Sequence, residues 1–207
     1  MTPKTTPLLL VMFTLVCALP AAGSVAAGSI SNSQIGGQQQ LHQEQQGEWS
    51  LYQNVTYGVG MLYPSNWTQQ NSTVAGDDRF ILVSKFFSPE EANGYFAYVP
   101  IGIDGTPQST NVEGYLNESI DILRQHPNFE DLQVLSSSMG NFTLAGMPAY
   151  SFEITYTDQE FGPQNMLEVG TIFDNRVYYI QFYADLPIYQ KYFPIVERMI
   201  ESFQIMQ

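Results

Sequence analysis

An α+β fold, an antiparallel sheet with two amphipathic helices packed on it, follows from three features of the sequence. Most of the chain beyond Trp49 alternates apolar and polar residues with a period of two. Turn-forming Gly, Asn, Asp and Pro residues interrupt that alternation at short intervals, and two segments, near Thr110 and Asp185, change to the three-and-four spacing of a helix. Strands joined by tight turns must run antiparallel, and each helix has one stripe to bury against the sheet. The periodicities leave open whether both helices share a face.

The elements follow in order. Residues 51–56 and 58–63 read as an opening hairpin turning at Tyr57-Gly58, and Pro64-Ser65 ends it. Residues 80–86 form the next strand. In Ser88-Pro89-Glu90-Glu91, Ser88 suits a helix cap, Pro89 the first helical position and Glu91 the reach back to the cap, but Gly94 stops that turn at once. Residues 95–103 make a long strand that Asp104-Gly105 and Pro107 close. A capping box of Thr110 and Glu113 opens the first full helix, whose inner face is Val112, Tyr115, Leu116, Ser119, Ile120 and Leu123. Arg124 and His126 sit at its end, where the helix dipole favours them, so His126 has a structural explanation.

Beyond that helix, residues 132–139 and 142–144 flank an expected Gly140-Asn141 turn, and residues 148–157 alternate Tyr150, Phe152, Ile154 and Tyr156 with polar neighbours. A loop over 158–165 leads to a strand at 166–173, and the two-residue turn Asp174-Asn175 to the last long strand at 176–184. Asp185 then caps a terminal helix with Tyr189, Tyr192, Phe193, Val196, Met199, Ile200 and Phe203 inward. Pro194, on its outer side, is expected to kink or divide it.

The segments before Trp49 read differently. Lys4, the apolar run 8–19, Pro20 and the small residues up to Ala27 form a secretory signal peptide over 1–27. The run falls short of the roughly 20 residues a spanning helix needs, and the mature chain contains no transmembrane span; retention of the signal as an anchor is the alternative to its removal. Residues 28–48, rich in Gln, read as a flexible linker, leaving 49–207 as the domain. Cys17, the sole cysteine, lies inside the apolar run, so the exported domain has no thiol for a disulfide, a metal or a nucleophile.

Lys and Arg number 7 against 20 Asp and Glu, giving a formal charge of -13 that repels a phosphate backbone and argues against nucleic-acid binding. Only 13% of residues are charged, about half the usual share of roughly 25%. Uncharged hydrogen-bonding groups therefore dominate the surface. Asn-x-Ser/Thr occurs at Asn54, Asn66, Asn71, Asn117 and Asn141, where chance predicts about 1.5 occurrences, so a glycosylated surface is expected. Asn66, Asn71 and Asn141 fall in expected turns, and Asn117 on the outer flank of the first helix.

Acidic residues at Asp77-Asp78 and Asp158-x-Glu160 are the candidates for a calcium or other cation site, since hard cations want clustered oxygens. None matches a calcium-loop spacing, and solvated loop acids that keep the chain soluble are the competing reading. The sequence holds no Gly-x-Ser-x-Gly elbow, phosphate-binding loop or His-Glu-x-x-His, and its histidines are His42 and His126, so no catalytic residue is assigned. The 13 Tyr and 13 Phe are first of all core and sheet-face residues, with a ligand cleft as the alternative.

The stretch Tyr57-Gly58-Val59-Gly60-Met61-Leu62-Tyr63-Pro64-Ser65-Asn66-Trp67 resembles the opening of the PsbP-like family, an aromatic-Gly strand running into Tyr-Pro-x-x-Trp. Gly146-Met147-Pro148-Ala149-Tyr150 and Met199-Ile200-Glu201-Ser202-Phe203 are similar to that family's Gly-x-Pro-Ala strand start and its closing helix ending in Ser-Phe. The resemblance, spanning 49–207, implies a central antiparallel sheet sandwiched by α-helices, and a role in docking rather than catalysis, as in a Ran-binding import factor and photosystem II extrinsic subunits. It carries over no functional residue. The basic surface of the photosynthetic members has no counterpart here, because after residue 27 only Arg79, Lys85, Arg124, Arg176, Lys191 and Arg198 face the 20 acids. The signal and the sequons look more like secreted archaeal or bacterial relatives. The resulting expectation is an exported, glycosylated, non-enzymatic binding or assembly module, without a cofactor, secreted or held at the cell surface beside an unknown protein or cell-surface partner. A cation-dependent accessory protein is the alternative, and a hydrolase the third reading.

Overall fold

The computed structural model describes residues 48–72, 79–91 and 94–206. The expected signal peptide, nearly all of the linker, and Asp77 and Asp78 lie outside them. The elements run β1 (Trp49–Asn54), β2 (Val59–Pro64), β3 (Thr68–Asn71), β4 (Phe80–Phe87), β5 (Ala97–Asp104), α1 (Val112–Arg124), β6 (Phe129–Leu144), β7 (Met147–Asp158), β8 (Gly162–Phe173), β9 (Arg176–Asp185), α2 (Leu186–Glu201) and β10 (Gln204–Ile205). A seven-stranded sheet has the order β3-β4-β5-β9-β8-β7-β6, and a three-stranded one the order β1-β2-β10. Every pairing is antiparallel, as tight turns require.

The helices take opposite faces of the large sheet. Along β9, Tyr178, Ile180, Phe182 and Ala184 join the core beneath α2, while Val177, Tyr179 and Tyr183 turn toward α1. The small sheet shares the α2 side through Tyr52, Val59 and Met61. The motif residues of the resemblance bind these parts together. Trp67, 5% exposed, meets the Tyr192 ring edge-on at 5.7 Å, Ser202 Oγ accepts the Leu62 amide at 2.9 Å, and Phe203 is 2% exposed in the same core.

Several local expectations are corrected. Residues 88–91 are not helical; Ser88 Oγ accepts the Ala97 amide at 2.9 Å and donates to Pro89 O at 3.1 Å, so it tethers the loop to β5. The cap of α1 is Asn111 rather than Thr110, its side chain accepting from Gly114 N at 2.8 Å. Gly140-Asn141 is not a turn: β6 continues through both with a register shift between Met139 and Thr143, and the reversal comes at Ala145-Gly146, both at positive φ. The loop expected at 158–165 shrinks to a tip between Asp158 and Gly162. Asn71 ends β3, a strand whose polar TQQN sequence shows no apolar alternation. Asp185 stands at the cap position of α2 without a capping bond, and α2 runs unbroken through Pro194, whose missing amide would have served the exposed Gln190 carbonyl that water can satisfy. Asp174-Asn175 is the two-residue turn expected, both residues left-handed at φ 49° and 57°.

Candidate functional site

The α1 face of the large sheet carries the buried carboxylates among the described residues, Asp104 and Glu168. Glu168, 2% exposed, points from β8 toward α1, and its carboxylate accepts hydrogen bonds from Ser119 Oγ, Tyr150 Oη and Gln181 Nε2, each at 2.7 Å. Burial raises the Glu168 carboxyl above its ordinary value, while the three donors pull it back down. Two glycines make the room. A Cβ on Gly170 would collide with the Tyr150 hydroxyl, and one on Gly102 with the Tyr179 ring.

Next to this network, Arg79 holds both oxygens of the fully buried Asp104 at 2.9–3.2 Å and also bonds Glu118. Tyr115 Oη donates to Asp104 at 3.1 Å, and the Thr106 amide caps its other oxygen at 3.0 Å. Burial pushes the Glu118 carboxyl up, but the amides of Gln108 and Ser109 together with Arg79 outweigh it and hold it below the ordinary range. The hydrogen bonds satisfy these charges inside the fold, so both clusters fix α1 and the loop that precedes it to the sheet.

One open feature of this face is a cleft of about 260 Å³ where the sheet extends beyond the C-terminal end of α1. Stacked pairs Tyr98–Tyr183, centroids 4.8 Å apart, and Phe129–Tyr156, 4.1 Å apart, line it together with Phe96, Phe161 and His126. The pairs follow from strand register, which sets Tyr98 opposite Tyr183 and Phe129 opposite Asp158, two residues along from Tyr156. Phe161, at the tip of the β7–β8 hairpin, is 57% exposed and meets Phe96 edge-on at 6.3 Å. Two half-buried carboxylates, Asp158 and Asp185, complete the lining with Gln164; no lysine or arginine is among the lining residues, and Lys85 Nζ stands over the Tyr98 ring 5.9 Å from its centroid.

Both carboxylates are oriented. Asp158 Oδ1 accepts the amides of Glu160 and Phe161 at 2.8 and 3.0 Å, and Asp185 Oδ1 accepts Gln164 Nε2 at 2.6 Å. Asp158 thus shapes the hairpin tip, while Glu160 beside it is exposed. Among the described residues no group of three or more His, Cys, Asp or Glu gathers closely enough to hold a metal ion.

Asn66, in the turn before β3, Asn71 and Asn117 are exposed, whereas Asn54 is half-buried, its Oδ1 accepting the Thr56 and Tyr57 amides and its Nδ2 donating to Tyr52 Oη at 3.2 Å. Asn117 Nδ2 also donates to Glu113 O at 3.1 Å. Asn141 lies within β6, the edge strand. His126 is exposed, rests against Phe129 at 4.4 Å and receives the Asn128 amide on Nδ1 at 3.4 Å. No helix among the described residues is long and apolar enough to cross a membrane. The cleft is what sequence reasoning left as an alternative: the only signal was the abundance of Tyr and Phe, and the register that gathers these rings at one end of the sheet is a long-range property.

No family model and no curated protein matches the chain in sequence. Solved structures do match it in shape. A cyanobacterial PsbP, CyanoP from Synechocystis, superposes with a TM-score of 0.56 at 12% identity, covering 86% of this chain and 98% of that one. The Ran-binding protein Mog1p of Saccharomyces cerevisiae gives 0.54 at 6% identity over 77% and 96% of the two chains. LpqN of Mycobacterium tuberculosis, involved in cell envelope biogenesis, gives 0.51 at 13% identity over 80% and 94%. At such identities the likeness is one of fold, and the chain folds as the PsbP-like structures do, a mostly antiparallel sheet with two helices.

Proposed function

We propose that this chain is an exported, N-glycosylated binding or assembly module that works without catalysis and docks its partner at the aromatic cleft. One observation carries the reading: a ring as large as Phe161 stands 57% exposed over a cleft of six aromatic residues, an arrangement that costs hydration free energy unless something covers it. The polar clusters beside it are internally satisfied, which supports a docking role over a reactive one. Proteins of the same fold whose names record a Ran-binding role and a part in envelope biogenesis support binding as its use. The signal-like start and the exposed sequons support export and sugar.

Site-specific photo-cross-linking tests it. With p-benzoylphenylalanine in place of Phe161, protein exported from its natural host should form a defined adduct that the same probe in place of Leu135, exposed on the β6 edge, does not form. Adducts at Leu135 alone, or at neither position, would remove the cleft from the proposal.

A further inference from the structure

We infer that the cleft receives the cationic side chain of a partner polypeptide, an arginine, between its aromatic walls and its two carboxylates. The inference rests on the docking reading above and names its chemistry. Size comes first. A cleft of about 260 Å³ is smaller than the roughly 300–1,000 Å³ of a small-molecule site, and it suits one long side chain inserted from outside.

Charge decides which side chain. Asp158 and Asp185 are half-buried, and neither has an ion-pair partner among the described residues. Each spends Oδ1 on a bond that fixes its orientation, and no hydrogen bond from a described residue reaches either Oδ2. Two fixed acceptors beside aromatic faces are what a planar guanidinium uses, donating in its plane and stacking on rings. The local field agrees with this: burial first holds the phenol protons on more tightly than usual, helped at Tyr98 by Asp158, and at Tyr156 by Tyr98 and then by Asp158 and Asp185. The same negative potential favours an incoming cation.

The occupant comes from another molecule. Residues 1–47 contain Lys4 as their one lysine or arginine, in the segment read as the signal, and a second copy would bring a like charge of -13 to the encounter. A basic segment of a different polypeptide meets this surface with complementary charge.

Saturation-transfer NMR on the exported protein, with the capped tripeptide acetyl-Gly-Arg-Gly-amide and its neutral citrulline isostere as probes, tests the inference. The arginine peptide should bind about tenfold more tightly than the citrulline peptide, and the double variant Asp158→Asn, Asp185→Asn should abolish that ratio. Asn at both positions keeps the acceptor that shapes the hairpin tip and the one that meets Gln164, so an unchanged melting curve shows that the fold survives. Phe161→Ala should weaken both peptides alike. Equal binding of the two peptides would overturn the charge inference while leaving an apolar docking cleft. Absence of transfer to either at millimolar concentration would overturn it too, and cross-linking through position 161 then judges the docking reading separately.

Discussion

The two faces of the seven-stranded sheet solve different problems. Under α2 the chain buries Ile101, Ile103, Val169, Ile180 and Phe182 against Ile188, Tyr189, Val196 and Met199, a core held by dispersion and exclusion of water. Under α1 it buries Glu168, Asp104, Ser119 and four tyrosine rings, and that side ends in an open aromatic cleft. An apolar face tolerates repacking, whereas a hydrogen-bonded one admits a single arrangement, since any slip strands a buried donor or a charge. The α1 face therefore fixes geometry, and the cleft inherits that rigidity from its neighbours.

The largest effect should come from the α2 side. Phe203→Ala, at a position 2% exposed, should lose about 3 to 5 kcal/mol in denaturant melts, through lost transfer energy plus a cavity. A loss below about 1 kcal/mol would mean that the end of α2 is not docked. On the α1 side, Gly170→Ala should cost about 1 to 3 kcal/mol, because the new methyl displaces Tyr150 from Glu168. A neutral result would show that the polar network gives way as easily as an apolar core.

Glu168→Gln sharpens the comparison through pH. The folded carboxyl titrates above its ordinary value, so between the two values the folded state holds a proton that the unfolded chain has released. What the group adds to stability is complete below the ordinary carboxyl range and is lost as pH rises through the raised folded value. Melts at a series of pH values should therefore show the variant gaining on wild type as pH rises from acid to neutral. A constant difference would mean that the burial of Glu168 is relieved by water. Smallest of all, Phe161→Ala should stay within about 0.5 kcal/mol of wild-type stability while losing cleft binding. The same deletion of a phenyl ring at positions 203 and 161 thus separates support from docking.

What the sequence reveals divides along the same line. The inner stripe of α1 from Tyr115 to Leu123, the alternation of β7 and the Asp174-Asn175 turn are local, and each is legible because neighbours within a few residues decide it. The continuation of β6 through Gly140 is not, since glycine and asparagine mark turns and bulges alike and only pairing with β7 separates them. Strand β3 escapes for a similar reason, as its polar residues pair only with β4. The cleft depends on register between strands far apart in the chain, which no window of sequence contains. That Glu168 is buried is equally hidden: it follows Met166-Leu167 like any outward acid of a half-buried strand, and only the facing Ser119, Tyr150 and Gln181 make its place tenable.

The pairing of β10 with β2 has a consequence in time. Gln204 lies opposite Gly60, the Met206 amide donates to Gly58 O at 2.7 Å, and a Cβ on Gly58 would stand 2.7 Å from Met206 O, so the last strand and nearly the first close on each other with little slack. A contact between such distant segments forms only after the chain between them has been made and gathered, which makes folding slow and leaves β2 an unpaired edge for as long as its partner is missing. During synthesis the opening hairpin therefore waits for the final residues of the domain, and that interval is when the molecule is most open to pairing with the wrong strand.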